Sequence, residues 1–138
     1  KRIIVSITGA SGAIYGIRAL ELLAKQPDVE THLILTSADA NSYNDELTVR
    51  AADVCLKERR RVILLLRETP LHAGHIALMA QATQNGAIIM PPVPAFYHRP
   101  QTLSDVIDQT VSRALDLLGL QIPSALRWKG SRYREYKS

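Results

Sequence analysis

Cysteine is almost absent. The 138 residues contain one, Cys55, so no disulfide can form within the chain, and the fold is expected to rest on burial in a reducing, cytoplasmic setting. No apolar run approaches the ~20 residues that a membrane span needs, and no signal peptide is recognisable. Internal repeats, low-complexity tracts and linkers are also missing, so 1–138 reads as a single domain ending in a tail over 121–138. The body of the chain lacks net charge as well. Residues 1–126 hold twelve Lys/Arg and twelve Asp/Glu, and the whole +4 sits in the last twelve residues. A nucleic-acid footprint needs a basic face on the folded part, so nucleic acid is not an expected partner.

What is present is an ordinary globular composition, 46% hydrophobic and 22% charged. "RIIVSIT" (2–8), "THLILT" (31–36), "RVILLL" (61–66) and "AIIM" (87–90) read as buried strands. Between and after them, helices are expected over 16–25, 46–60, 73–85 and 103–119. The first should bury a stripe of Ile17, Leu20, Leu23 and Ala24. Gly86 and Gly119 are expected to stop the last two helices, and Ser104 to cap the final one. Four alternations of near-continuous apolar strand and helix predict an α/β fold, a parallel sheet with helices on both faces.

In open parallel sheets, ligands bind beyond the carboxyl ends of the strands. The residues just past each strand are Gly9-Ala10-Ser11-Gly12, then Thr36 and Ser37, then Arg67-Glu68-Thr69-Pro70, then a proline-rich loop ending in Tyr97-His98-Arg99. Small turn residues, hydroxyls, cations and one acid on a single edge suit an anion. The glycines follow Gly-x-x-Gly-x-x-x-Gly (Gly9, Gly12, Gly16), not the Gly-x-Gly-x-x-Gly of a dinucleotide site. A carboxyl group at Glu68, beside Arg67, is a candidate general acid or base. Arg50 and Lys57 are seven apart and share a helix face. Arg113 stands among Val106, Ile107, Val111 and Leu115, either snorkelling at the edge of an apolar stripe or buried with an anionic partner. Cys55 and His32 read as structural. His72 and His75 are three apart, but Glu68 is the only further ligand type near them in sequence, so no metal is expected.

The stretches "TGASGAIYG", "RAADVCLKERR", "RETPLHAGH" and "GAIIMPPVPAFYHRPQTLSDVIDQTVSRALD", with the late "RW", resemble the UbiX-type flavin prenyltransferases, also known as phenylacrylate or polyprenyl-hydroxybenzoate decarboxylases. The likeness covers 1–37 and 42–128. It implies a Rossmann-like or flavodoxin-like three-layer flavoprotein, assembled as a homo-oligomer that can reach a dodecamer. Such enzymes join the dimethylallyl group of dimethylallyl monophosphate to reduced FMN without a metal. The prenylated flavin serves a UbiD-type decarboxylase, in ubiquinone synthesis or aromatic acid decarboxylation.

By matching position, the resemblance implies that Gly9, Ala10, Ser11, Thr36, Ser37 and Arg67 hold FMN, with Ser11 near the flavin ring and counted with Glu68 as catalytic. Arg50, Lys57, Tyr97 and Arg113 would bind the dimethylallyl phosphate, the last three in one pocket, and Trp128 would close the site from the same or a neighbouring subunit. Members of that family carry several dozen further residues after the second strand, including a strand and a Pro-Cys-Ser-x-x-Thr turn that helps bind FMN. Here Ala38-Asp39-Ala40 spans that interval. Two other readings stay open: a flavin-dependent cysteine-type decarboxylase relative, and a non-catalytic FMN-binding protein.

Overall fold

A computed structural model describes residues 1–8, 12–36 and 43–122. The elements run β1 (Arg2–Thr8), α1 (Ala13–Leu23), β2 (Glu30–Thr36), α2 (Tyr43–Lys57), β3 (Ile63–Leu64), α3 (Ala73–Gln84), β4 (Ile88–Ile89), a 3-10 turn (Phe96–His98) and α4 (Leu103–Leu117). Every strand pairing among the described residues is parallel: β1 with β2 from Arg2↔Glu30 to Thr8↔Thr36, and β3 with β4 at Ile63↔Ile88 and Leu64↔Ile89. This is the expected α/β alternation. The strands form two parallel pairs, and the second is shorter than its apolar runs suggest. Extended apolar residues become a ladder only where a partner backbone lies opposite.

The core lies between β1 and the helices α1 and α4. Ile3, Leu22, Leu23, Val111, Leu115 and Ile122 are buried together, with Val5, Tyr15, Ala19 and Ile107 packed around them. On α1 the buried stripe is rotated from the expected one, for Ile17 is 48% exposed. The cause is Gly16. A Cβ built there would sit 2.4 Å from Ile7 Cγ1, so the helix backbone rests directly on the strand, and this contact sets which face turns inward. Arg18 then ties α1 to α4 through Asp108, with Nε–Oδ1 at 2.5 Å and Nη2–Oδ2 at 2.9 Å. The pairing with Asp108, then Glu21, raises the guanidinium further above its ordinary range.

Gly86 (φ 99°) and Gly119 (φ 74°) do stop α3 and α4 in the left-handed region. The cap of α4 is Thr102 rather than Ser104. Thr102 Oγ1 accepts from Asp105 N–H at 3.1 Å, and Asp105 Oδ2 accepts from Thr102 N–H at 2.9 Å, a reciprocal box. Asp105 Oδ2 also accepts from Gln101 N–H at 2.9 Å. These bonds, those from the Gln101 and Thr102 backbone first, hold its carboxyl below the usual range.

Candidate functional site

Parallel pairing puts the carboxyl ends of β1 and β2 side by side, with Thr8 opposite Thr36. Helix α1 starts at Ala13, with Gly12 as its N-cap, no side-chain cap hydrogen bond and no acidic residue in its first turn. Tyr15 N–H turns back to the Gly12 carbonyl at 3.1 Å, and this end of α1 is the positive end of the helix dipole. The chain leaving β3 comes to the same place. A Cβ built on Gly12 would lie 3.9 Å from Arg67 Cδ, so the Arg67 side chain runs past the turn. An uncapped helix start, an absent side chain and a guanidinium make a corner suited to a phosphate-bearing group such as FMN.

Glu68 follows Arg67 and is exposed, its Oε1 accepting from Thr69 N–H at 3.0 Å. The peptide between Thr69 and Pro70 is cis. Beyond β4, the 3-10 turn presents Tyr97, 65% exposed, with its ring 4.1 Å from that of His98. Arg67 and Glu68 thus follow β3, and Tyr97 stands in the 3-10 turn that follows β4.

Lys57 and Arg113 are carried elsewhere. Lys57 is the last residue of α2, about 10 Å along the axis from Arg50. Its neighbour Leu56 lies against Gly86, two residues before β4 begins, so this end of α2 faces the amino ends of the strands. Arg113 is exposed, which removes the buried-cation reading, and stands one turn before Leu117, whose carbonyl accepts from Arg61 just ahead of β3. Seven residues of helix are two full turns, and a shared face is not a shared height. Arg50 itself is exposed and donates to Asp53 Oδ2 at 3.2 Å.

Gly9, Ala10, Ser11, Ser37 and Trp128 lie outside the described residues, as does the Ala38–Ala40 junction; Thr36 is described only as the end of β2. Cys55 is a free, half-buried thiol. His32 is exposed, with its Nε2 3.1 Å from Glu30 Oε1. Among the described residues no three His, Cys, Asp or Glu side chains gather as a metal site, and no helix is long and apolar enough to cross a membrane. Sequence reasoning missed the part played by His72 and His75, whose rings stack and cap α3. The signal was the glycine between them, Gly74.

No family model matches the chain. Curated relatives do. A flavin prenyltransferase UbiX from Escherichia coli is 43% identical over 188 residues, covering 95% of this chain and all of the relative. One from Thauera aromatica is 41% identical over 189 residues, covering 97% of each. These spans exceed the 138 residues of this chain, so the relatives carry a segment that it passes over. Among solved structures, a dodecameric FMN-dependent UbiX-like decarboxylase from Escherichia coli O157:H7 superposes with a TM-score of 0.84 at 32% identity, over 94% of this chain and all of the other. AnUbiX, in complex with FMN and dimethylallyl pyrophosphate, gives 0.82 at 33% identity over 95% and 98%. With the parallel α/β order and the glycine–arginine corner, likeness of this extent places the chain in the UbiX flavin prenyltransferase family.

Proposed function

We propose that this protein transfers the dimethylallyl group of dimethylallyl monophosphate to reduced FMN. The carrying observation is the corner where Arg67 runs past Gly12 at the uncapped start of α1, with Glu68 next in the chain. Arg67 and the α1 N–H groups would hold FMN there, together with Gly9, Ala10, Ser11, Thr36 and Ser37. FMN and the prenyl donor are both substrates, and no metal is needed to draw off the phosphate. Cations and a hydroxyl stabilise the charge that gathers on the leaving phosphate as the allylic C–O bond breaks, which is the work proposed for Arg50, Lys57, Tyr97 and Arg113. Glu68 would accept the proton lost from flavin C6 when the new ring closes.

Lys57 and Arg113 would join Tyr97 from a second copy, a reading supported by Lys57 ending α2 next to Leu56, which lies against Gly86, and by Arg113 standing one turn before the Arg61–Leu117 bond. The proposal therefore includes a homo-oligomer with sites shared between copies and closed by Trp128. The dodecameric relative supports that assembly. A cytoplasmic location and a UbiD-type decarboxylase as recipient of the product complete the reading.

The test is anaerobic incubation of the protein with reduced FMN and dimethylallyl monophosphate, with the pyrophosphate in parallel, followed by mass analysis of the flavin. A flavin heavier by one five-carbon unit is expected. Glu68→Gln should retain FMN binding and slow product formation by roughly 10²–10⁴-fold, the range for a lost general acid or base. Wild-type turnover in that variant would remove Glu68 from the chemistry. One second reading is an FMN-binding protein without transfer. Bound flavin that never gains the prenyl unit would establish it.

A further inference from the structure

Two of the described residues other than glycine hold a positive φ, Arg59 (57°) and Arg99 (52°). That region brings Cβ against the following carbonyl, so a non-glycine residue keeps it only where its surroundings hold it there. For Arg59 the reason is the end of α2. Arg60 N–H reaches the Cys55 carbonyl at 2.8 Å and Arg59 N–H the Leu56 carbonyl at 3.0 Å, a common left-handed close of a helix. Arg99 has no such helix behind it. It follows a turn of three residues, Phe96–His98, and precedes Pro100, which ordinarily drives the residue before it toward extended backbone.

What holds Arg99 is a short run of hydrogen bonds leading back to α4. Its N–H donates to the Phe96 carbonyl at 2.9 Å, closing the turn. Its carbonyl accepts from Gln101 Nε2 at 3.0 Å. Gln101 is fixed in turn at its backbone, where its N–H donates to Asp105 Oδ2 at 2.9 Å. The same oxygen accepts from Thr102 N–H, and Thr102 Oγ1 accepts from Asp105 N–H, so the anchor is the cap of α4. Gln101 thus bonds at one end to the first turn of a long helix and at the other to the strained residue. The turn that Arg99 closes carries Tyr97, an exposed side chain whose ring lies against that of half-buried His98.

We propose that Gln101 is a positioning residue for prenyl transfer: it carries the fixed geometry of the α4 cap to Arg99 and so sets the direction in which Tyr97 meets the phosphate of the donor. Released from Gln101, Arg99 can return to the extended backbone that its proline neighbour favours, and Phe96–His98 then turns against α4. A hydroxyl that must meet one phosphate oxygen is sensitive to a displacement of about 1 Å. Gln101 acts through Tyr97 rather than on flavin or donor, and its link to activity rests on the phosphate-binding role proposed for Tyr97.

The test centres on Gln101→Met, which keeps the length of the side chain and removes the donating amide. A crystal structure of this variant should show Arg99 outside the left-handed region and the Tyr97 ring displaced from its native place. In anaerobic kinetics on the full chain, Tyr97→Phe should raise KM for dimethylallyl monophosphate about two- to tenfold, the loss of one hydrogen bond. Gln101→Met should raise it by no more than that and leave KM for FMN unchanged. It should add nothing in the Tyr97→Phe chain, because both changes remove the same contact. Arg99 left-handed and Tyr97 in place in the Gln101→Met crystal overturns the proposal, whether or not the protein transfers prenyl groups. So does a Gln101→Met effect that multiplies with that of Tyr97→Phe or falls equally on FMN, which marks a merely structural role. A displaced turn beside an unchanged donor KM in Tyr97→Phe overturns the phosphate role of Tyr97, and with it the link from Gln101 to activity.

Discussion

The β1–β2 ladder runs seven residues on each strand, whereas β3 and β4 pair over two. The first pair is backed by α1 and α4 and takes in nearly the whole buried core. The second is accompanied by α3, which buries no residue at all and leaves Ile76 and Leu78 55% and 65% exposed. The two halves differ in what they bury, and both leave large apolar side chains outside: Ile4, Leu33 and Leu35 on the strands of the first pair, Ile76, Leu78 and Phe96 beside the second. Apolar surface on that scale suits contact with further copies of the chain.

The largest effect that would break this comparison is a cavity. Leu23 is 1% exposed at the centre of the α1–α4 core, and Leu23→Ala should cost about 2–5 kcal/mol of unfolding free energy. Leu78→Ala, on α3, removes the same atoms from solvent-facing positions and should leave the unfolding free energy of the dissociated chain within about 0.5 kcal/mol. It should instead weaken self-association. Denaturant melts read beside sedimentation separate the two quantities. A large stability loss from Leu78→Ala in the monomer would show that the second half has a core of its own.

Legibility in the sequence divides along the same line. β1 and β2 were readable to within a residue, because β-branched, continuous apolar runs have one use when both neighbours are in place. β3 and β4 read as equally good strands and came out as two-residue pairs, since a run of Ile and Leu says nothing about whether a partner lies alongside. The α4 cap was recoverable: Thr102 with Asp105 three residues later is a capping-box spacing, and it should have been preferred over Ser104. The positions of Arg67, Glu68 and Tyr97 after β3 and β4 were legible from where the apolar runs end. For Arg50 and Lys57 helical periodicity reported a face and left height along the axis to be counted separately.

A smaller effect sharpens the first half. Gly12 and Gly16 look alike in the sequence, yet a Cβ at Gly16 would overlap Ile7, and one at Gly12 would meet only Arg67 Cδ at an ordinary 3.9 Å. Gly12 also has an ordinary negative φ of −109°. Gly16→Ala should therefore destabilise the fold by about 1–3 kcal/mol through overpacking. Gly12→Ala should leave the melting curve nearly unchanged and act, if anywhere, on anion binding beside Arg67. Thermal melts of both variants with a flavin titration check the pair, and equal destabilisation would mean that the α1–β1 contact is not what fixes the helix.

The smallest effect concerns acid and the cap of α4. Thr102→Ala should cost about 0.5–2 kcal/mol, the usual value of a lost N-cap. Its partner Asp105 makes that cap sensitive to pH. Its carboxyl is held below the ordinary range by backbone N–H bonds from Gln101 and Thr102, so the folded chain binds its proton less readily than the unfolded one. The stabilisation is complete above the ordinary carboxylate range and is lost as pH falls through the lowered folded value. Glu30, lowered chiefly by its hydrogen bond from Arg2, acts in the same direction on the β1–β2 pair. The β1–β2 pair and the α4 cap should accordingly hold through mildly acid conditions and weaken only near the carboxylate range. Asp105→Asn should lower stability at neutral pH and reduce its slope on the acid side, and Glu30→Gln should reduce it further. Denaturant midpoints at several pH values check this, and a slope unchanged in Asp105→Asn would take the Asp105 carboxylate out of the α4 cap.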